Sequence, residues 1–261
     1  MGITPPFWEN NMKIFCTDLD NTIIYSYKRD IGEQKLNVEI YQGREISFIT
    51  NTTYNLLQEV KKDYLIIPTT TRTLEQYNRI DLGIGQFEYA LTCNGGVLLV
   101  NGQMDREWYE ESLKLIMEST QELDKAISLL EKEPRRTFEL RFIEKLFVFT
   151  KCDEPEKVVE ELKAQLDTNL VDVFNNGVKV YVVPTKLSKG MAIKRLRERM
   201  KPEVIIAAGD SEFDVSMVEE ADCGLVPYGF IDEFDASQKV IEMEKDRIFA
   251  EALLEKVSEM K

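Results

Sequence analysis

The sequence contains no histidine. That gap removes several chemistries together: Ser-His-Asp and Cys-His nucleophilic catalysis, phosphohistidine transfer and histidine-ligated zinc. Any general acid or base must be a carboxylate, a lysine, a tyrosine or a cysteine. Cysteine is scarce, with four in 261 residues. Cys16, Cys93, Cys152 and Cys223 form no Cys-x-x-Cys pair, so structural thiols are expected rather than zinc ligands. Long apolar runs are missing as well: no stretch approaches the roughly 18–20 residues that cross a bilayer. The amino terminus lacks the basic start and apolar core of a signal peptide, so a cytoplasmic location is expected. Its Pro5-Pro6 pair marks an irregular lead-in, and Met12 begins the recognisable fold. Positive charge is in deficit, with 33 Lys and Arg against 47 Asp and Glu and a net charge of −14. So acidic a surface repels nucleic-acid phosphates and anionic lipid, and neither nucleic acid nor membrane is an expected partner.

What is present is a strand-helix alternation. Residues 13–17 (KIFCT) form a short apolar run that delivers acidic groups at its carboxyl end. Alternation over 36–49 around Gln42-Gly43 predicts a β-hairpin. Thr52 is placed to cap a helix running to about Asp63, with Leu56, Leu57 and Val60 facing inward. Further buried strands are expected at 65–68 and 89–93, the first followed by a Thr-Thr-Thr-Arg turn and a helix from about Leu74, the second by Asn94-Gly95-Gly96 and a return strand at 97–100. The fold class is therefore α/β, a Rossmann-like doubly wound parallel sheet, in which ligands bind beyond the carboxyl ends of the strands.

The pattern changes near residue 104. A long helix is expected over 108–132, then strands at 137–142 and 146–150, a helix from Pro155, and strands at 170–174 and 178–183 joined by Asn175-Asn176-Gly177. Helix-strand-strand twice over predicts an inserted α+β domain over 104–184. The parallel pattern then resumes: a helix from Ser188 to Met200, a strand at 204–208, a helix from Ser211, a strand at 223–226 and a closing amphipathic helix. The core is accordingly assigned to 12–103 and 185–261.

Two acidic clusters carry the chemistry. Asp18 and Asp20 stand two residues apart at a strand end. Carboxylates sharing a cleft repel one another, and a hard divalent cation such as Mg²⁺ resolves that repulsion. On its own the pair is equally a turn and a helix cap. The second cluster repeats the design: an apolar strand, Gly209, then Asp210 and Asp214. A helix cap accounts for one of these aspartates but not for the repeated strand-then-acid pattern, so a shared cation site is expected. Thr70, at a strand end, offers a hydroxyl and a backbone N–H, and Lys189 a point charge at a helix start. Singly these are a turn threonine and a solvated lysine. With the acids they make up a phosphoryl-transfer site.

The stretches DLDNT, TTTR, LSKG and GDSEFD stand at the strand ends and in the order of the haloacid dehalogenase superfamily, which the chain resembles from Lys13 nearly to its end. TCNGG and the inserted repeat resemble subgroup IIB, the Cof-type and sucrose-phosphatase-like group with a large α/β cap at 104–184. The resemblance implies that Asp18 is the nucleophile, forming an aspartyl-phosphate. It makes Asp20 the acid and base, its backbone carbonyl touching Mg²⁺. Thr70 and Lys189 would hold phosphoryl oxygens, Asp210 would ligate the ion, and Asp214 would support it through water or Lys189. The implied activity is Mg²⁺-dependent hydrolysis of a small phosphorylated metabolite, sugar phosphates included. Phosphomutase-type transfer and a non-catalytic phospholigand-binding role are the alternatives. Phe213 stands where the family has Asn and Thr71 where it has Gly, so Thr69 competes with Thr70 for the phosphate.

Overall fold

The computed structural model describes residues 12–234 and 239–260. The chain forms two compact units, one of Met1–Met104 with Lys189–Lys261 and one of Asp105–Ser188.

In the first unit a five-stranded parallel sheet runs in the order Val240–Glu242, Cys223–Val226, Val204–Ala208, Lys13–Thr17, Leu65–Pro68. Alternate residues face opposite sides of the sheet. Phe15, Ile206 and Leu225 join Leu57 and Val60 of the Asn51–Asp63 helix and Leu253 and Val257 of the Phe249–Glu259 helix in one core. The helices Lys189–Met200 and Glu212–Glu220 contribute buried Ile193, Leu196, Met217 and Val218. The sheet is doubly wound, as the alternation implies.

Several local features differ from expectation. The cap of the Asn51–Asp63 helix is Thr50, not Thr52: its Oγ1 accepts from the Thr53 N–H at 2.9 Å, at the point where the preceding strand ends. The Tyr89–Thr92 strand leaves the parallel sheet and pairs antiparallel with Val97–Val100, touching the main sheet through the Thr69–Leu91 bridge. The hairpin of Lys35–Tyr41 and Arg44–Thr50 turns at Gln42 and Gly43, both with positive φ, and carries a register irregularity at Glu39.

The second unit is an antiparallel sheet in the order Val171–Asn176, Lys179–Pro184, Phe147–Lys151, Arg141–Ile143. Buried Val148, Val180 and Val182 of the sheet belong to the same unit as buried Leu123, Ala126, Val158 and Leu162 of its helices Thr120–Glu131 and Pro155–Lys163. Phe174, Tyr181 and Phe149 form an aromatic row with centroid spacings of 5.4 and 5.2 Å. The long helix expected over 108–132 is broken: Arg106–Leu115 is followed by a 3₁₀ turn, Met117–Ser119, before Thr120–Glu131. Buried Ser119 donates its hydroxyl to the Leu170 carbonyl at 2.8 Å, an anchor outside the helix that fixes the break. The strand expected at 137–142 shrinks to Arg141–Ile143, because Thr150 Oγ1 bonds the carbonyls of Phe138 and Glu139 in place of a regular ladder. No described helix is long and apolar enough to cross a membrane.

Candidate active site

Strand register brings the two acidic clusters together. Thr17 pairs with Ala208 on one side and Pro68 on the other. The Asp18 N–H donates to the Ala208 carbonyl at 2.9 Å, and the Thr69 N–H to the Thr17 carbonyl at 2.7 Å. Three chain segments therefore end side by side: Asp18, then Gly209-Asp210, then Thr69-Thr70.

Asp18, Asp210 and Asp214 each offer a carboxylate oxygen within 4.8 Å of the others. Lys189, the first residue of its helix and 1% exposed, lies between two of them. Its Nζ donates to Asp18 Oδ1 at 2.6 Å and Asp214 Oδ1 at 2.5 Å. Burial opposes the lysine's charge, but the two carboxylates outweigh it and hold Lys189 protonated well above the ordinary lysine range. Burial pushes the Asp18 carboxyl up, Lys189 pulls it down, and Asp214 and Asp20 add to the rise. Asp210 is pushed up to about 6, chiefly by burial and then by Asp214, while the hydroxyl of Thr22, donating to its Oδ1 at 3.0 Å, opposes the shift. Three acids, Asp18 and Asp214 buried and Asp210 partly so, against one lysine leave the cluster short of positive charge. A hard oxygen-ligated divalent cation fits that deficit.

Asp214 differs from the other two. Its Oδ2 accepts from the N–H groups of Asp210 and Ser211 and from the Ser211 hydroxyl, and its Oδ1 is taken by Lys189. Of the two partners expected for it, water or Lys189, Lys189 is in direct contact. Two glycines permit this packing. A Cβ on Gly209 would lie 2.2 Å from Asp214 Cβ, and one on Gly190 would lie 2.3 Å from the Ser216 carbonyl oxygen of the neighbouring helix.

Asp20 stands apart from the cluster by its side chain, which is 49% exposed. Both its oxygens are clasped by Arg72: Nε to Oδ2 and Nη2 to Oδ1, each at 2.7 Å. The Arg72 clasp had no counterpart in the expectations, although the arginine follows the Thr-Thr-Thr turn directly. Thr22 was equally unanticipated. The hydroxyl of Thr69 is turned inward to the Ile67 carbonyl at 3.1 Å, whereas Thr70 Oγ1 accepts from the Arg72 N–H at 3.2 Å and keeps its proton to donate. The Thr70 N–H, expected as a donor to ligand, is spent on the Leu91 carbonyl at 2.8 Å. Thr71 is not among the residues with positive φ, so its side chain in place of glycine meets no left-handed strain. None of the four cysteines forms a disulfide, and burial pushes the Cys16 thiol up to about 12, which leaves it inert.

Comparison with known proteins agrees with this arrangement. The family model for haloacid dehalogenase-like hydrolases matches residues 103–226, a span holding Lys189, Asp210 and Asp214. A phosphoglycolate phosphatase of Methanopyrus kandleri is 25% identical over 177 residues, covering 66% of this chain and 73% of that protein. The sucrose-phosphatase of Synechocystis sp. PCC6803, solved with sucrose and phosphate, superposes with a TM-score of 0.67 at 17% identity, over 96% of this chain and 98% of that one. The trehalose-6-phosphate phosphatase of Aspergillus fumigatus shares the fold at a TM-score of 0.50 and 14% identity, over 94% and 93% of the two chains. Residues 103–226 thus match the haloacid dehalogenase-like hydrolases, and the chain shares with the sucrose-phosphatase the fold of a Rossmann-like unit interrupted by an α+β unit.

Proposed function

We propose that this hydrolase is a Mg²⁺-dependent phosphatase acting on a small phosphate monoester, with sugar phosphates the first class to test. The observation that carries the reading is the Asp18–Lys189–Asp214 array beside Asp210, a buried nucleophile and cation within reach of an acid cluster. Lys189 occupies Asp18 Oδ1 and leaves Oδ2 to attack phosphorus. An Asp18–phosphorus bond forms as the ester phosphorus–oxygen bond breaks, and the departing oxygen takes a proton from Asp20. Water then attacks the aspartyl-phosphate, gives its proton to Asp20, and releases phosphate and free Asp18.

Asp20 acts as the base in the second half with both its oxygens held by Arg72. The third hydrogen of Lys189, the Thr70 hydroxyl and the N–H groups of Leu19 and Asp20, which make no hydrogen bond among the described residues, are the donors for phosphoryl oxygens. Asp18 and Asp210 would hold Mg²⁺ with the Asp20 carbonyl, Asp214 acting through Lys189. The bound ion would supply the positive charge that the acid cluster lacks.

The catalytic role falls to 12–103 with 185–261, and substrate choice to the α+β segment 104–184. Phosphate release from a panel of phosphorylated metabolites is expected to require Mg²⁺ and to stop with chelator. Asp18→Asn should lose more than about 10³-fold in turnover. Full turnover by that variant, or no turnover of any ester by wild type at saturating Mg²⁺, would overturn the reading.

A further inference from the structure

Glu39 lies in the first unit, on the Lys35–Tyr41 strand, and is 1% exposed. A buried carboxylate is costly unless it is fully compensated, so its surroundings matter. Its Oε1 forms an ion pair with Arg72 Nη1 at 2.9 Å and accepts from Arg79 Nε at 3.1 Å, and its Oε2 accepts from the Ser47 hydroxyl at 2.7 Å. Burial alone would push it up, but Arg72, Ser47 and Arg79 together hold it below the ordinary carboxylate range. Arg79 is itself braced over the Tyr41 ring at 4.6 Å. The register irregularity at Glu39 interrupts the hairpin ladder at the residue that makes these contacts.

The same Arg72 that meets Glu39 through Nη1 clasps Asp20 through Nε and Nη2. A guanidinium is planar and rigid, so fixing one edge fixes the direction of the others. Asp20 is half exposed, and Arg72 partners both its carboxylate oxygens. We propose that Glu39 is a positioning residue for the acid-base step: through Arg72 it sets where the Asp20 carboxyl points. This rests on the phosphatase reading and on Asp20 as proton donor.

A proton donor matters most when the departing oxygen is strongly basic. Phenyl phosphate needs that proton, and 2,4-dinitrophenyl phosphate leaves without it. In the Mg²⁺-loaded full-length protein, Glu39→Gln is expected to lower kcat/KM for phenyl phosphate by about tenfold, part of the roughly 10²–10⁴ that general acid catalysis supplies. The loss on 2,4-dinitrophenyl phosphate should stay under about twofold. Asp20→Asn should show the same selectivity in stronger form, and Ser47→Ala, which loosens Glu39 from one side only, in weaker form. Equal losses on both esters, or no loss on either, in folded Glu39→Gln or Ser47→Ala would overturn the assignment while leaving the phosphatase reading intact. Should Glu39→Gln not fold, Ser47→Ala decides alone. Wild type inactive on both esters would overturn both together.

Discussion

Asp210 shows how charge is balanced at the residue scale. Its carboxyl is raised to about 6, so the folded chain binds a proton that the unfolded chain, near 3.8, has already released. Without a cation, stability should therefore fall as pH rises from about 4 to about 6, the reverse of an ordinary paired carboxylate. Thermal unfolding of chelator-treated protein across that window should show this fall. The slope should flatten in Asp210→Asn, and again when millimolar Mg²⁺ is added. The acids themselves were legible in the sequence, because an apolar run ending in two aspartates stands out twice. Their partners were not. Thr22 reaches Asp210 across 188 residues of chain, and Glu39 reads as an ordinary polar position in an alternating strand. Nothing local distinguishes a carboxylate that meets solvent from one that meets two arginines.

At the scale of elements, the parallel strands were readable because buried strands are continuous apolar runs with punctuation at both ends. Helix starts were harder. Asn51-Thr52-Thr53 offers three residues able to cap, yet the cap is Thr50, whose hydroxyl also bonds Glu251 Oε1 at 2.6 Å. Thr50→Ala is expected to cost about 1–2 kcal/mol in a denaturant titration, and Thr52→Ala, at an exposed position, less than about 0.5. Equal effects would return the cap to Thr52. The break near Ile116 was invisible for a related reason: the apolar stripe continues across it, and the Ser119 anchor lies in a distant segment.

For the whole molecule, the net charge of −14 sets a long-range field against a dianionic ligand, which the buried Lys189 counters only at close range. Raising KCl screens that field over roughly 10 Å at 0.1 M. KM for a phosphate ester should thus fall roughly two- to threefold between low and moderate salt, with kcat little changed. A KM that rises with salt would show that local positive charge dominates the approach. The expectation of an inserted domain rests on a change of period near residue 104, since a parallel doubly wound pattern and an α+β repeat look different in one dimension.

Gly190 and Gly209 carry a consequence for descent. A methyl group at Gly209 would collide with Asp214 itself, and one at Gly190 with Ser216 of the neighbouring helix. These positions should therefore drift less among relatives than Phe213 or Thr71. A fingerprint of Lys-Gly followed by Gly-Asp-x-x-x-Asp would recover distant kin whose surfaces have diverged beyond recognition, and a relative that has lost either glycine would be expected to have lost the reaction with it.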